Sequence, residues 1–198
     1  MHVVVVLFEG FDELDAIGPY RVFRGAASEG ADLTVDLATV ESVERVTASH
    51  GLRVEPDGIL AEYDPDLIVV PGGGWNDRAE SGAWAEADRG DLPAILARLH
   101  GNGARVAGVC TGGMLLARAG LLDGRPAVTH AGALSSLAET GATVVDARVV
   151  DCDDVLTAGG VTAGIDLALH VLERAFGADV ASAVAESIEY EPRGSIYR

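Results

Sequence analysis

The chain contains no lysine, and its 14 basic residues are all arginines set against 31 acids, for a net charge of −17 in 198 residues. Such a surface repels phosphate backbones and anionic headgroups, which argues against nucleic acid or a membrane surface as a partner. Cysteine is scarce: Cys110 and Cys152 are the only two, with no CxxC or metal-ligand spacing. That excludes a disulfide framework and a cysteine metal site, and points to free thiols in a reducing, cytoplasmic compartment. The apolar run from Val3 to Phe8 is too short to cross a bilayer and follows no basic leader, so no export is expected. Linkers, low-complexity tracts and internal repeats are also missing. With 48% hydrophobic residues, the chain is expected to form one domain over residues 1–198 with a sizeable core.

What is present is an alternation of apolar runs and helical periods. Val3 to Phe8 reads as a strand buried on both faces, as in a parallel sheet. A helix is expected over Asp12 to Ala27, with apolar Tyr20, Val22 and Phe23 at helical spacings and Pro19 in its first turn. Leu33 to Thr39 predicts a second strand, and Val43 to Val46 and Leu52 to Val54 predict short strands around Ser49-His50-Gly51. Leu67 to Val70 is a third buried strand, Leu92 to Leu99 a helix, and Arg105 to Val109 a further strand. Helices are expected over Gly113 to Ala119 and Ala133 to Glu139, with Ala127 to Thr129 as a short strand between them. Strands are expected over Ala142 to Val150 and Val155 to Ala158, turning at Asp151 to Asp154, before two closing helices. This order implies an α/β fold: a doubly wound, mostly parallel sheet with helices on both faces and ligands at the C-terminal strand ends.

The sharpest chemical signal is Gly108-Val109-Cys110-Thr111-Gly112, a G-x-C-x-G pattern between a predicted strand and a predicted helix. That is the setting of a nucleophile elbow, in which glycines at 108 and 112 clear the crowded turn and push the cysteine outward. The following helix N-terminus is expected to lower the thiol pKa from about 8.5. The plainer alternative is a small buried residue that ends a strand. Cys152, among Asp151, Asp153 and Asp154, is expected to be a spectator. Asp15 follows the first strand between Leu14 and Ala16-Ile17, so a desolvated, proton-exchanging carboxyl and a helix N-cap or first-turn acid are both open. Pro71-Gly72-Gly73-Gly74 offers backbone amides for an oxyanion hole, or else only a flexible turn.

The remaining motifs are weaker. Gly159-Gly160-Val161-Thr162-Ala163-Gly164 departs from a phosphate-binding loop and has no lysine, so it is read as close strand-to-helix packing. Gly101-x-Gly103 precedes a strand instead of opening a helix. Of five histidines only His130 is placed to approach a strand-end site. His170 and Glu173 share a helical face but lack a third ligand, so no metal is expected.

Taken together, Asp15-Ala16-Ile17-Gly18-Pro19, Pro71 to Gly74, Val109-Cys110-Thr111-Gly112-Gly113, Thr129-His130, the segment Gly159 to Asp166, and Glu189-Tyr190 in the last helix resemble the ThiJ/PfpI superfamily. Within it the pattern is most similar to the isonitrile hydratases. The resemblance implies a flavodoxin-like fold, a homodimer, a small-molecule substrate and no cofactor. It assigns the nucleophile to Cys110, the essential carboxylate to Asp15 and a supporting role to Thr111; Ile17, Gly73, Gly74 and His130, at or near the strand ends, are expected on the substrate side. The implied activity is that of a hydro-lyase, adding water to an isonitrile through a Cys110 thioimidate to give an N-substituted formamide. The superfamily's protease-like branch has histidine directly after the cysteine; Thr111 stands there, so peptidase activity is not expected. Related regulators add a helix-turn-helix domain for which this length leaves no room. Glyoxalase- or deglycase-like action on small carbonyls, and a non-enzymatic oxidation sensor or stress chaperone, are the alternatives.

The acidic, lysine-free composition also suggests adaptation to high salt, against the alternative of an arginine-biased genome. Salt would screen the self-repulsion of the carboxylates. The melting temperature is therefore expected to rise between low salt and molar KCl; a flat response would leave only the compositional explanation.

Overall fold

In the computed structural model, which describes residues 1–198, the chain opens with β1 (His2–Val6), α1 (Glu13–Ser28), β2 (Thr34–Thr39), β3 (Val46–Thr47), β4 (Arg53–Val54), β5 (Gly58–Ile59) and β6 (Leu67–Val70). It continues through α2 (Ala83–Arg89), α3 (Asp91–Gly101), β7 (Arg105–Val109), α4 (Gly112–Arg118), β8 (Pro126–Ala127), α5 (Leu134–Ala138) and β9 (Thr143–Val144). It closes with β10 (Val149–Cys152), β11 (Val155–Ala158), α6 (Ala163–Phe176), α7 (Ala178–Ser187) and β12 (Ile196–Tyr197). No helix is long and apolar enough to cross a membrane.

The eight-stranded sheet has the order β12-β10-β11-β7-β6-β1-β2-β5, parallel throughout except for the β10–β11 pair. β1, β6, β7 and β11 are buried along their length apart from His2 and Arg105. Each fully buried valine in them contributes roughly 1.5 kcal/mol or more. Helices α1, α6 and α7 pack together, and α2, α3 and α4 pack together, giving the two helical layers of a doubly wound sheet. One continuous cluster of 51 buried apolar residues runs through all of it.

The chain passes from β1 to β2 on one side and later returns to β6 on the other. This reversal opens a crevice beyond the C-terminal strand ends, where open α/β sheets bind ligands. The pairing aligns those ends: Val70 lies opposite Gly108, and Ala158 opposite Val109.

Several expectations need correction. Pro19 is not in the first turn of α1 but in its second, where its missing N–H leaves the Asp15 carbonyl without the usual helical donor. The helix accepts it because Gly164 of α6, lacking a side chain, lets the ring pack closely: a Cβ there would lie 3.2 Å from Pro19 Cγ. Residues 142–150 are two short strands, β9 in a small sheet with β8 and β10 in the main sheet, separated by a loop. Asp151 and Cys152 belong to β10, and the turn itself is Asp153-Asp154, with Asp153 at φ 64°. Glu189 and Tyr190 lie beyond α7, because Glu189 adopts φ 51° and breaks the helical path. The C-terminal β12, parallel to β10, has no apolar run to announce it.

Two glycines test the packing. In α4, a Cβ on Gly112 would overlap the Val70 carbonyl. At the end of α3, a Cβ on Gly101 meets nothing. In urea denaturation Gly112→Ala should destabilise by more than about 2 kcal/mol, whereas Gly101→Ala should be neutral or stabilise by up to about 0.5 kcal/mol.

Candidate active site

The elbow between β7 and α4 is forced by lack of room. A Cβ on Gly108 would lie 2.8 Å from the Gly113 nitrogen, and one on Gly112 has no space at all. Between them Cys110 takes φ 56°, a left-handed conformation uncommon for a residue with a side chain. Its N–H donates to the carbonyls of Ala158 (3.1 Å) and Gly159 (3.0 Å), and its carbonyl accepts from Thr129 Oγ1 at 2.7 Å. The strained residue is thus pinned on both sides and is only 6% exposed.

Asp15 reaches the same place from α1. Asp12 is the N-cap, accepting from the amides of Leu14 (3.1 Å) and Asp15 (3.4 Å), so Asp15 is a first-turn acid and not the cap. It is fully buried, and its Oδ2 accepts from the Gly72 amide at 3.0 Å, while Oδ1 has no hydrogen-bond partner. Burial pushes the Asp15 pKa up to about 7, with the charge of Asp12 adding to the rise against the Gly72 amide and the Cys110 thiol. Carboxyl and thiol thus bias each other, although Oδ1 does not form a hydrogen bond of good geometry in the free protein.

The thiol behaves opposite to the expectation from its helix. Burial, and then the Asp15 charge, push Cys110 up to about 12, although the amides of Val161 and Thr111 face the sulfur and favour its thiolate. Two buried acids side by side cannot both ionise cheaply. At neutral pH the pair holds a protonated thiol beside a carboxyl that can still take up or give away a proton.

The other candidates fall as follows. Thr111 is buried, and its Oγ1 accepts from the Gly73 amide at 3.0 Å. The amides of Gly72 and Gly73 are therefore already taken, by Asp15 and Thr111, and do not form a free oxyanion hole. Gly73 has φ 119° and Gly74 φ 64°, so the loop after β6 turns sharply, and the Gly73 carbonyl accepts from Ala83 at 2.7 Å. Ile17 is half-buried on α1, two residues after Asp15 and so on a different face of the helix. His130 Nδ1 accepts from the Gly132 amide at 3.1 Å and its ring lies against Gly160, with no bond to the thiol. His170 Nε2 engages Asp151 at 2.6 Å inside the protein. Asp12, Glu13 and His50 lie close enough to hold a cation, but Glu13 is committed: His50 Nδ1 and the amides of His50 and Leu52 bind it. Although burial pushes Glu13 up, those contacts more than offset it and hold its pKa at about 2.

Two contributors were missed from sequence. Thr129 ties the strand end after β8 to the Cys110 carbonyl. Val161, a β-branched residue at φ 45°, turns its amide toward the sulfur. An isolated Val-Thr after two glycines carries a turn signal but nothing that announces a donor.

The fold and site together define a doubly wound α/β protein with a cysteine at a strand-to-helix elbow above a buried carboxyl. The chain belongs to the DJ-1/PfpI family, whose model matches residues 1–174. It is 37% identical over 194 residues to the isonitrile hydratase of Pseudomonas putida, covering 97% of this chain and 79% of that one. It is 32% identical to the HTH-type transcriptional regulator CdhR of Pseudomonas aeruginosa, covering 91% of this chain but only 52% of the regulator. A solved ThiJ/PfpI family protein from Pseudomonas syringae superimposes with a TM-score of 0.85 at 27% identity, covering 97% of this chain and 76% of that one.

The Asp15 assignment has a thermodynamic consequence. A carboxyl whose pKa is raised on folding stabilises the protein fully below its unfolded value, and that contribution is lost as pH rises through the folded value. Between pH 4 and pH 8 the wild type should therefore lose a few kcal/mol of unfolding free energy relative to Asp15→Asn, measured by urea denaturation at each pH. Parallel pH profiles would show that Asp15 ionises normally.

Proposed function

We propose that the protein hydrates an isonitrile to an N-substituted formamide, with Cys110 as nucleophile and Asp15 as the proton carrier. The observation that supports this most is the buried thiol–carboxyl pair. The isonitrile carbon needs both a proton and a nucleophile, and this pair can supply both to one atom. The P. putida relative lends its activity to the same reading.

The steps balance as follows. Asp15 takes the thiol proton and gives it to the terminal carbon of the isonitrile as the sulfur bonds to that carbon, leaving a thioimidate. Asp15, again a carboxylate, accepts a proton from water as the oxygen adds to the thioimidate carbon, and passes it to the nitrogen. Collapse breaks the carbon–sulfur bond and releases the formamide; the hydroxyl proton leaves through Asp15 to the departing sulfur. The thioimidate sulfur and the departing thiolate face the amides of Thr111 and Val161. Thr111, held by Gly73, lines the same space.

The local electrostatics favour a neutral substrate. No cation is among the groups that bias Cys110, and an anionic substrate would meet the Asp15 charge. A thiol held well above neutral pH is also a slow target for peroxide, which disfavours the oxidation sensor. Glyoxalase-like chemistry usually needs a histidine partner, and His130, which takes the Gly132 amide on Nδ1, makes no hydrogen bond to the Cys110 thiol.

The test is formamide production from a series of alkyl isonitriles, followed by mass spectrometry. Cys110→Ala and Asp15→Asn should each lower kcat/KM by at least about a thousandfold. The wild-type pH profile should show a limb with an inflection near the Asp15 value of about 7. Unchanged turnover in either variant contradicts the mechanism.

A further inference from the structure

The turn that carries Val161 is held from outside the site by one residue, through its main chain at one end and its side chain at the other. Arg148 grips both of its ends: its carbonyl accepts from the Gly159 amide at 3.0 Å, and its Nη2 donates to Thr162 Oγ1 at 2.9 Å. Between these two points lies Val161, at a φ of 45° that a β-branched residue does not adopt unless its surroundings impose it. Arg148 is fixed in turn. Its Nε donates to Asp166 Oδ2 at 2.6 Å, and Asp166 also accepts from Tyr190 Oη (2.8 Å) and the Arg193 amide (2.7 Å). The Arg148 amide donates to the Ser195 carbonyl at 3.1 Å. Gly194, at φ 74°, leaves room for the arginine stem, since a Cβ there would lie 2.6 Å from Arg148 Cδ.

We propose that Arg148 is a positioning residue for Cys110: clamped by Asp166 and by the C-terminal segment, it holds the Gly159–Thr162 turn so that the Val161 amide faces the sulfur. The inference rests on the proposed use of Cys110 as a thiolate. It extends that use to residues that touch neither the sulfur nor a substrate. It also explains why a partly exposed arginine and a C-terminal segment lying outside the helices are tied so thoroughly to one buried carboxylate. Charge-assisted bonds of this kind have the strength needed to keep a strained turn in place.

The test is the rate at which iodoacetamide alkylates Cys110, read by intact mass in a Cys152→Ser background, alongside kcat and KM for an isonitrile. Arg148→Met removes the side-chain half of the clamp and leaves the carbonyl that holds Gly159, Arg148→Lys restores part of what is lost, and Thr162→Val deletes only the oxygen that the Arg148 side chain holds. In folded protein Arg148→Met should slow alkylation about tenfold at fixed pH, the loss of roughly one charge-assisted hydrogen bond. Thr162→Val should act in the same direction by about threefold, and lysine should recover part of the loss. If isonitriles are turned over, kcat should fall with little change in KM. A merely structural role predicts the reverse sign, since loosening the surroundings of a buried thiol exposes it and speeds alkylation. Alkylation that is faster, or unchanged in both Arg148→Met and Thr162→Val, overturns the proposal. Because alkylation needs no isonitrile, it reads the clamp even if the hydratase reading fails.

Discussion

A buried thiol and a buried carboxyl share a space that has room for one negative charge, and most of the unusual local structure serves that arrangement. Burial raises both acids, the Asp15 charge raises the thiol further, and the thiol in turn favours the carboxylate. The proton is therefore stored at the site instead of being lost to solvent. A free thiolate would be reactive toward any electrophile or oxidant that entered. A stored proton restricts reaction to a substrate able to accept it, which is the chemical demand of an isonitrile carbon.

Geometry imposes this pairing through three strand ends. β7 delivers Cys110 at a glycine-cleared elbow, the first turn of α1 beyond β1 delivers Asp15, and the loop after β6 supplies the Gly72 and Gly73 amides that hold Asp15 and Thr111. The loop after β11 closes the ring with the Val161 amide. The parallel register makes these ends coincide, so a shift in one strand would move every partner at once.

The parts legible in the sequence are those set by local pattern. β1, β6 and β7 are unbroken apolar runs because both faces of a central strand are covered. The elbow is visible because its glycines must sit two residues from the cysteine. Asp15 could be singled out, but its role could not be separated from capping until Asp12 was seen to hold the helix end. The thiol pKa was misjudged because the helix N-terminus is adjacent in sequence, whereas the dominant influences are burial and a carboxyl from α1, 95 positions away. The split of residues 142–150 into two sheets, the small β12 and the departure of Tyr190 from α7 were likewise hidden. Each depends on long-range contacts such as the Asp166 network rather than on periodicity. The oxyanion reading of the glycine loop failed for a related reason: free amides are visible in a sequence, but the side chains that occupy them are not.

Cys110 rests as a thiol because it is buried and, second to that, because Asp15 sits beside it. The most direct measurement is a pH titration of thiolate absorbance at 240 nm in a Cys152→Ser background, with and without Asp15→Asn. The account predicts no Cys110 thiolate in the otherwise wild-type protein below about pH 10, and ionisation at distinctly lower pH once the carboxyl charge is removed. A thiolate already half-formed below pH 8 with Asp15 in place would contradict it.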